Sequence, residues 1–148
     1  MNPFYTVLHG YETVRSILFI GSIFFSEKGF SQNDNQTIAP ELVGKWCYIN
    51  MTTTNDAITS SCITLNDDGT FEASLDRSTL PRGIQFPAIQ DNDYGKWWVV
   101  ESRIFYKSST NGQGNFFFEK VNHPRLDHTP MIVISGVSFA TSSPRDPW

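Results

Sequence analysis

The sequence has no cluster of lysine or arginine. Its 11 basic residues are outnumbered by 15 acidic ones, giving a formal charge of -4. An acidic chain without a basic stripe is a poor partner for nucleic acid and for anionic lipid. There is no uninterrupted run of the roughly 20 apolar residues that a membrane-spanning helix requires. Gly-x-Ser-x-Gly is absent, and no serine stands beside a base in sequence, which removes the commonest motif of nucleophilic hydrolysis. Leucine is scarce, and beyond residue 41 no stretch carries a helical period of apolar side chains. Only two cysteines occur, Cys47 and Cys62, and neither has the histidine or basic cluster that makes a reactive thiolate.

What is present is strand chemistry. Aromatic residues make up 14% of the 148 residues, with 12 phenylalanines, and Thr and Ser are plentiful; this favours pleated structure over helix. The length suits one domain. At the N-terminus, Arg15 precedes the apolar run "SILFIGSIFF" and then "SEKGFSQ". That is the order of a secretory signal helix, with residues 1–31 as the signal peptide and cleavage expected after Ser31; a retained N-terminal anchor or an amphipathic helix is the alternative. Loss of the signal peptide takes away Arg15, Lys28, Glu12 and Glu27, so the charge stays the same. No stable membrane insertion is expected afterwards. Residues 32–40, "QNDNQTIAP", read as a flexible linker, and 41–148 as the folded domain.

From Glu41 onward, short strand-like runs alternate with turn residues: "KWCYINM", "SCITLN", "FEASL", "GKWWVV", "SRIFYKS", "GNFFFEKV", "MIVISG" and "VSFAT". Eight runs at even spacing predict an all-β fold, an antiparallel sandwich or a closed up-and-down barrel of about eight strands. "DDGT" at 67–70 marks a tight turn in which Gly69 takes positive φ. Residues 76–93 interrupt the rhythm with Pro81, Gly83 and Pro87. Their Leu80, Ile84, Phe86 and Ile89 are too apolar for open water, so this loop is expected to fold over one end of the barrel, as a core plug or as a ligand lid.

"GKW" occurs at 44–46 and again at 95–97, and each is expected to open a strand with glycine at a bulge or a close backbone approach. With Trp46 and Trp97 inward, alternation turns Tyr48 and Val99 inward and Trp98 outward. The same parity turns Cys47 and Cys62 outward on one surface. A hairpin would then bring them together as a disulfide worth about 3 kcal/mol in an oxidising compartment. Two unpaired, half-buried thiols are the alternative.

"ELVGKWCYIN", "ITLNDDGTFEAS" and "YGKWWVVESRIFYKS" together resemble the lipocalin-like domains of secreted bacterial proteins of the Bacteroidetes type. Leu42, Gly44 and Trp46 fit the opening motif, Asp68, Gly69, Thr70 and Phe71 the turn, and Gly95 and Trp97 the later strand. The resemblance covers about residues 41–108 and implies an eight-stranded barrel or half-barrel with an interior cavity, but no reaction. The segment from Asn122 to Trp148 departs from the family pattern, and the 76–93 loop is longer than expected. True lipocalins lay an arginine from the last strand across the opening tryptophan; Arg145 is the candidate by position.

The residues richest in chemistry are His123, Asp127 and His128. The two histidines are five apart with Pro124 between them, a spacing that aims no two rings at one point, so a zinc site would need Asp127 and a further ligand such as Glu119. A structured turn is the simpler reading, with Pro124 fixing φ and Asp127 capping. Asp91 and Asp93 read as a solvated turn before Tyr94. No catalytic residue, metal or cofactor is implied. Binding is the more natural expectation: a small apolar or aromatic ligand held by Trp46, Tyr48, Trp97, Ile104, Tyr106 and Phe86. The same aromatics could equally pack on one another. In "FFF" at 116–118, either Phe117 or the pair Phe116 and Phe118 faces out, which suits an envelope protein partner. A hydrolase at the barrel mouth is the third expectation. Trp148 is expected to dock back against the mouth.

Overall fold

A computed structural model describes residues 36–51, 56–82 and 92–148. The segment read as a signal peptide, the first part of the expected linker, and Ile84, Phe86, Ile89 and Asp91 of the long loop lie outside the described residues. Eight strands follow one another: β1 (Gly44–Met51), β2 (Asp56–Leu65), β3 (Thr70–Ser74), β4 (Asn92–Val100), β5 (Arg103–Ser108), β6 (Gln113–Asn122), β7 (Pro130–Ile134) and β8 (Val137–Thr141). Each pairs antiparallel with the next, and β8 returns to β1, closing the barrel. The sandwich is thereby set aside. The seam is short: Trp46 faces Thr141, Cys47 faces Ala140 and Tyr48 faces Phe139. No helix among the described residues is long and apolar enough to cross a membrane.

Alternation along the strands sorts the side chains as the sequence demands. Trp46, Tyr48, Ile63, Trp97, Ile104 and Phe116 belong to one interior core. Trp98 points outward and stacks on Phe105 of the neighbouring strand, with centroids 5.8 Å apart. Phe116 and Phe118 are buried, while Phe117 is 48% exposed. Gly69 takes φ +76° in the β2–β3 turn, where Asp68 Oδ1 accepts from the Thr70 amide and hydroxyl.

Two features depart from expectation. The second "GKW" does not open its strand. β4 begins three residues earlier, because Asn92, Asp93 and Tyr94 pair with Ser74, Ala73 and Glu72 of β3. Gly95 is therefore internal, at a close backbone approach: a Cβ there would sit 2.1 Å from the Lys107 carbonyl oxygen. The described end of the linker is also held in place rather than free. Thr37 exchanges two backbone hydrogen bonds with Val99, where β3 has stopped pairing with β4, and Ile38 and Ala39 pack on the core. One 3-10 turn, Pro40–Leu42, then leads into β1.

The β1–β2 hairpin carries a register shift between Cys47 and Ile49. Ser61 lies in the offset stretch of β2 and is fully buried. Its Oγ accepts from the Asp76 amide at 2.8 Å and pairs with the Thr79 hydroxyl at 2.7 Å, so the irregularity anchors the start of the long loop. Leu80 of that loop packs on the interior core.

Candidate functional site

The five described residues expected to line a ligand cavity are brought together, and they fill the space themselves. The Trp46 indole donates to the Leu42 carbonyl at 2.7 Å and the Trp97 indole to the Asn66 carbonyl at 2.9 Å, so both rings are buried with their one polar atom satisfied. Tyr106 stacks on Phe116 at 5.0 Å and meets Phe71 edge-on. Gly114 makes room for it, since a Cβ there would fall 2.6 Å from the Tyr106 hydroxyl oxygen. Burial raises the Tyr106 phenol above its ordinary value, and the charge of Asp93 adds to the shift, so the hydroxyl stays protonated at neutral pH. Tyr48 meets Phe139 edge-on. Between Ile63, Leu65, Trp97, Ile104 and Ile132 there remains an apolar void of about 20 Å³. That is about the room one water takes, far below the roughly 300–1,000 Å³ of ligand clefts.

At the barrel end beside Trp46, the C-terminal segment folds back as expected. The Trp148 ring stacks on Trp46 with centroids 5.8 Å apart, its indole donates to the Met131 carbonyl at 2.9 Å, and the Lys120 ammonium lies 4.9 Å from its centroid. The Arg145 guanidinium lies across Trp46 at 5.4 Å and donates to the Val43 carbonyl. The opening tryptophan is thus covered from two sides.

The histidine segment is a built turn. The His123 ring is wholly buried, and its Nδ1 accepts from the amides of Arg125 and Leu126 at 3.1 and 2.9 Å. The proton of the neutral ring therefore sits on Nε2, 3.7 Å from Asp56 Oδ2 and without a hydrogen-bond partner among the described residues. Asp56 is itself paired with Arg125, whose guanidinium holds the carboxyl below its usual range. This contact joins the β1–β2 hairpin to the β6–β7 loop outside the barrel, beside the outward cluster of Ile49, Met131 and Ala140 with Val121. His128 takes φ +53°, and its carbonyl accepts from the Arg145 amide. A cleft of about 260 Å³ touches His123, Asp127 and His128, where the His123 ring itself is wholly buried. Among the described residues no three His, Cys, Asp or Glu side chains converge as a metal requires.

Asp93 corrects the expectation of a solvated turn. It is buried, because alternation in β4 points it inward with Trp97. Burial pushes its carboxyl up, but hydrogen bonds from Ser108, Asn111, the Tyr94 amide and Thr110 outweigh that effect and hold it below the ordinary range. Its role is to organise the β5–β6 turn. Its side-chain partners Ser108, Thr110 and Asn111 are 15 to 18 residues away in sequence, which local reading does not reach.

The cysteines behave as the parity argument requires. Cys47 and Cys62 are cross-strand partners joined by a disulfide. Beside them the outer face of β1–β4 is concave, with an open groove of about 780 Å³ that includes Lys45, Thr64, Glu72, Ser74, Asn92 and Tyr94. Tyr94 is 59% exposed. The alternation that places Trp97 inward also places Tyr94 outward, so this ring was within reach of sequence reasoning; the groove was not, because it depends on which strands become neighbours. Compared with family models, with curated proteins and with solved structures, the chain matches none.

Proposed function

We propose that the protein is an exported, non-enzymatic recognition module of lipocalin-like build, whose barrel is a solid scaffold and whose binding chemistry lies on its outside. The observation that carries this reading is the apolar interior void of about 20 Å³. A ligand held by Trp46, Tyr48, Trp97, Ile104 and Tyr106 would have to displace side chains from a packed core, at several kcal/mol for each large ring removed. Export agrees with the leader-like N-terminus and with a disulfide, which persists in oxidising compartments. Asp93 is committed to a turn, and His123 is buried with its Nδ1 held by two backbone amides. The Arg145 contact across Trp46 agrees with the family resemblance.

The test is a titration of the full chain with 1-N-phenylnaphthylamine, an apolar fluorescent probe, followed through probe and indole emission. No saturable one-to-one binding is expected. Stoichiometric uptake that quenches the buried indoles would overturn the reading in favour of an interior ligand.

A further inference from the structure

We propose that the concave outer face of β1–β4 is a binding site for a neutral saccharide chain, with Tyr94 as its stacking platform. The proposal rests on the reading that recognition is external.

Register builds the site. Lys45 is the cross-strand partner of Thr64, Thr64 of Glu72, and Glu72 of Tyr94, so four outward side chains form one line across four strands. A second line runs beside it, in which Cys62 faces Ser74 and Ser74 faces Asn92. Neighbouring side chains in such lines stand about 4.5–5.5 Å apart, close enough for two of them to reach one sugar ring. The groove of about 780 Å³ lies within the roughly 300–1,000 Å³ range of ligand clefts.

Its chemistry selects the ligand class. Thr64, Glu72, Ser74 and Asn92 make no side-chain hydrogen bond to another described residue, so hydroxyl, carboxylate and amide groups all face solvent with donors and acceptors open. Among the residues lining the groove the outward charges are one cation, Lys45, and one anion, Glu72, with Lys96 next to Thr70 on the same face, a sparse mix that selects neither a polyanion nor a polycation. Among the described lining residues the one exposed ring is Tyr94, whose face can take the C–H side of a pyranose while the surrounding groups bond its hydroxyls. An apolar ligand would leave those polar groups unpaired. A hydrolytic role needs a second carboxylate opposite Glu72; among the described residues Asp93, the other acidic residue of the lining, is turned inward to Ser108, Thr110 and Asn111, so the role proposed is binding alone.

Affinity electrophoresis tests this. The full chain is run through native gels containing xyloglucan, galactomannan, mixed-linkage glucan, mannan or starch, with polygalacturonate as the acidic control. Retardation is expected in at least one neutral gel. Tyr94→Ala should weaken it by about tenfold, while Tyr94→Phe, which keeps the ring face, stays within about twofold. Asn92→Ala should weaken it, and Phe117→Ala, on a different part of the outer surface, should not. Tyr94 is exposed, so an unchanged melting temperature separates lost binding from lost folding. Retardation by polygalacturonate alone, by no gel at all, or equally for Tyr94→Ala and the parent, overturns the assignment. A chain that binds neither saccharide nor phenylnaphthylamine sinks the saccharide proposal alone; interior uptake of the probe sinks the reading beneath it.

Discussion

Removing the disulfide by Cys47→Ala together with Cys62→Ala is expected to lower stability by about 3 kcal/mol. The figure comes from the 15-residue separation that the bridge closes: cross-linking a loop of that length removes about 10 cal/mol/K from the unfolded chain. The bridge also sits beside the three-pair seam with β8 and at the edge of the register shift in the hairpin, where backbone pairing is thinnest. The compact unit Gln32–Trp148 has roughly 120 residues, so its unfolding entropy is near 0.25 kcal/mol/K and the melting temperature should fall by about 12 °C. Thermal and urea unfolding, followed by indole fluorescence and circular dichroism, would compare three samples: oxidised parent, parent reduced with a phosphine, and the double variant. Reduced parent and variant should coincide, with a larger urea slope than the oxidised parent because the unlinked chain exposes more surface on unfolding. A reduced parent that melts with the oxidised one refutes the reasoning. So does a full loss of stability with an unchanged slope, since that places the effect in the native state.

Three other outcomes are expected. Gly95→Ala should cost about 3 kcal/mol or more, because its Cβ would strike the Lys107 carbonyl at 2.1 Å and part β4 from β5; a urea midpoint near the parent's would show that the strands yield without cost. Trp148→Ala should cost about 2 kcal/mol through the lost stack on Trp46 and the lost bond to Met131, and Trp148→Phe should restore part of it by keeping the stack; equal denaturation curves for all three would place the ring outside the cooperative unit. Acid should destabilise the fold. Asp56, Asp68, Asp76, Asp93 and Glu41 are all held below their ordinary values, so their contribution is present above the unfolded carboxylate pKa of about 4 and is lost as pH falls through the folded values. Urea midpoints from pH ~6 to ~3 read this, Asp93→Asn should flatten the slope, and a midpoint that rises on acidification contradicts the assignment.

Much of the barrel was legible because strand alternation is a strict period. Once Trp46 and Trp97 are placed inward, the positions of Tyr48, Trp98 and the two cysteines follow, and the structure keeps all of them. Closure was legible only as one of two choices, since eight even runs serve a sandwich as well as a barrel. The lost ground lies where distant segments meet. Ser61 reads as one serine among many until the register shift buries it under Asp76 and Thr79. His123 and Asp127 drew attention by composition, yet the ring's partners are its own loop amides and Asp56, far away in sequence. Arg145 could be named by position alone, but its place over Trp46 depends on how the final residues turn back.

The pairing of β8 with β1 has a consequence for how this chain can evolve. A ring of strands has no edge strand along which a visiting peptide could extend the sheet, and Thr37 occupies the stretch of β4 that β3 leaves unpaired. Affinity is then written chiefly in outward side chains. Because those alternate with the residues that hold the ring together, a new specificity can arise by exchanging every second amino acid while the architecture stays as it is.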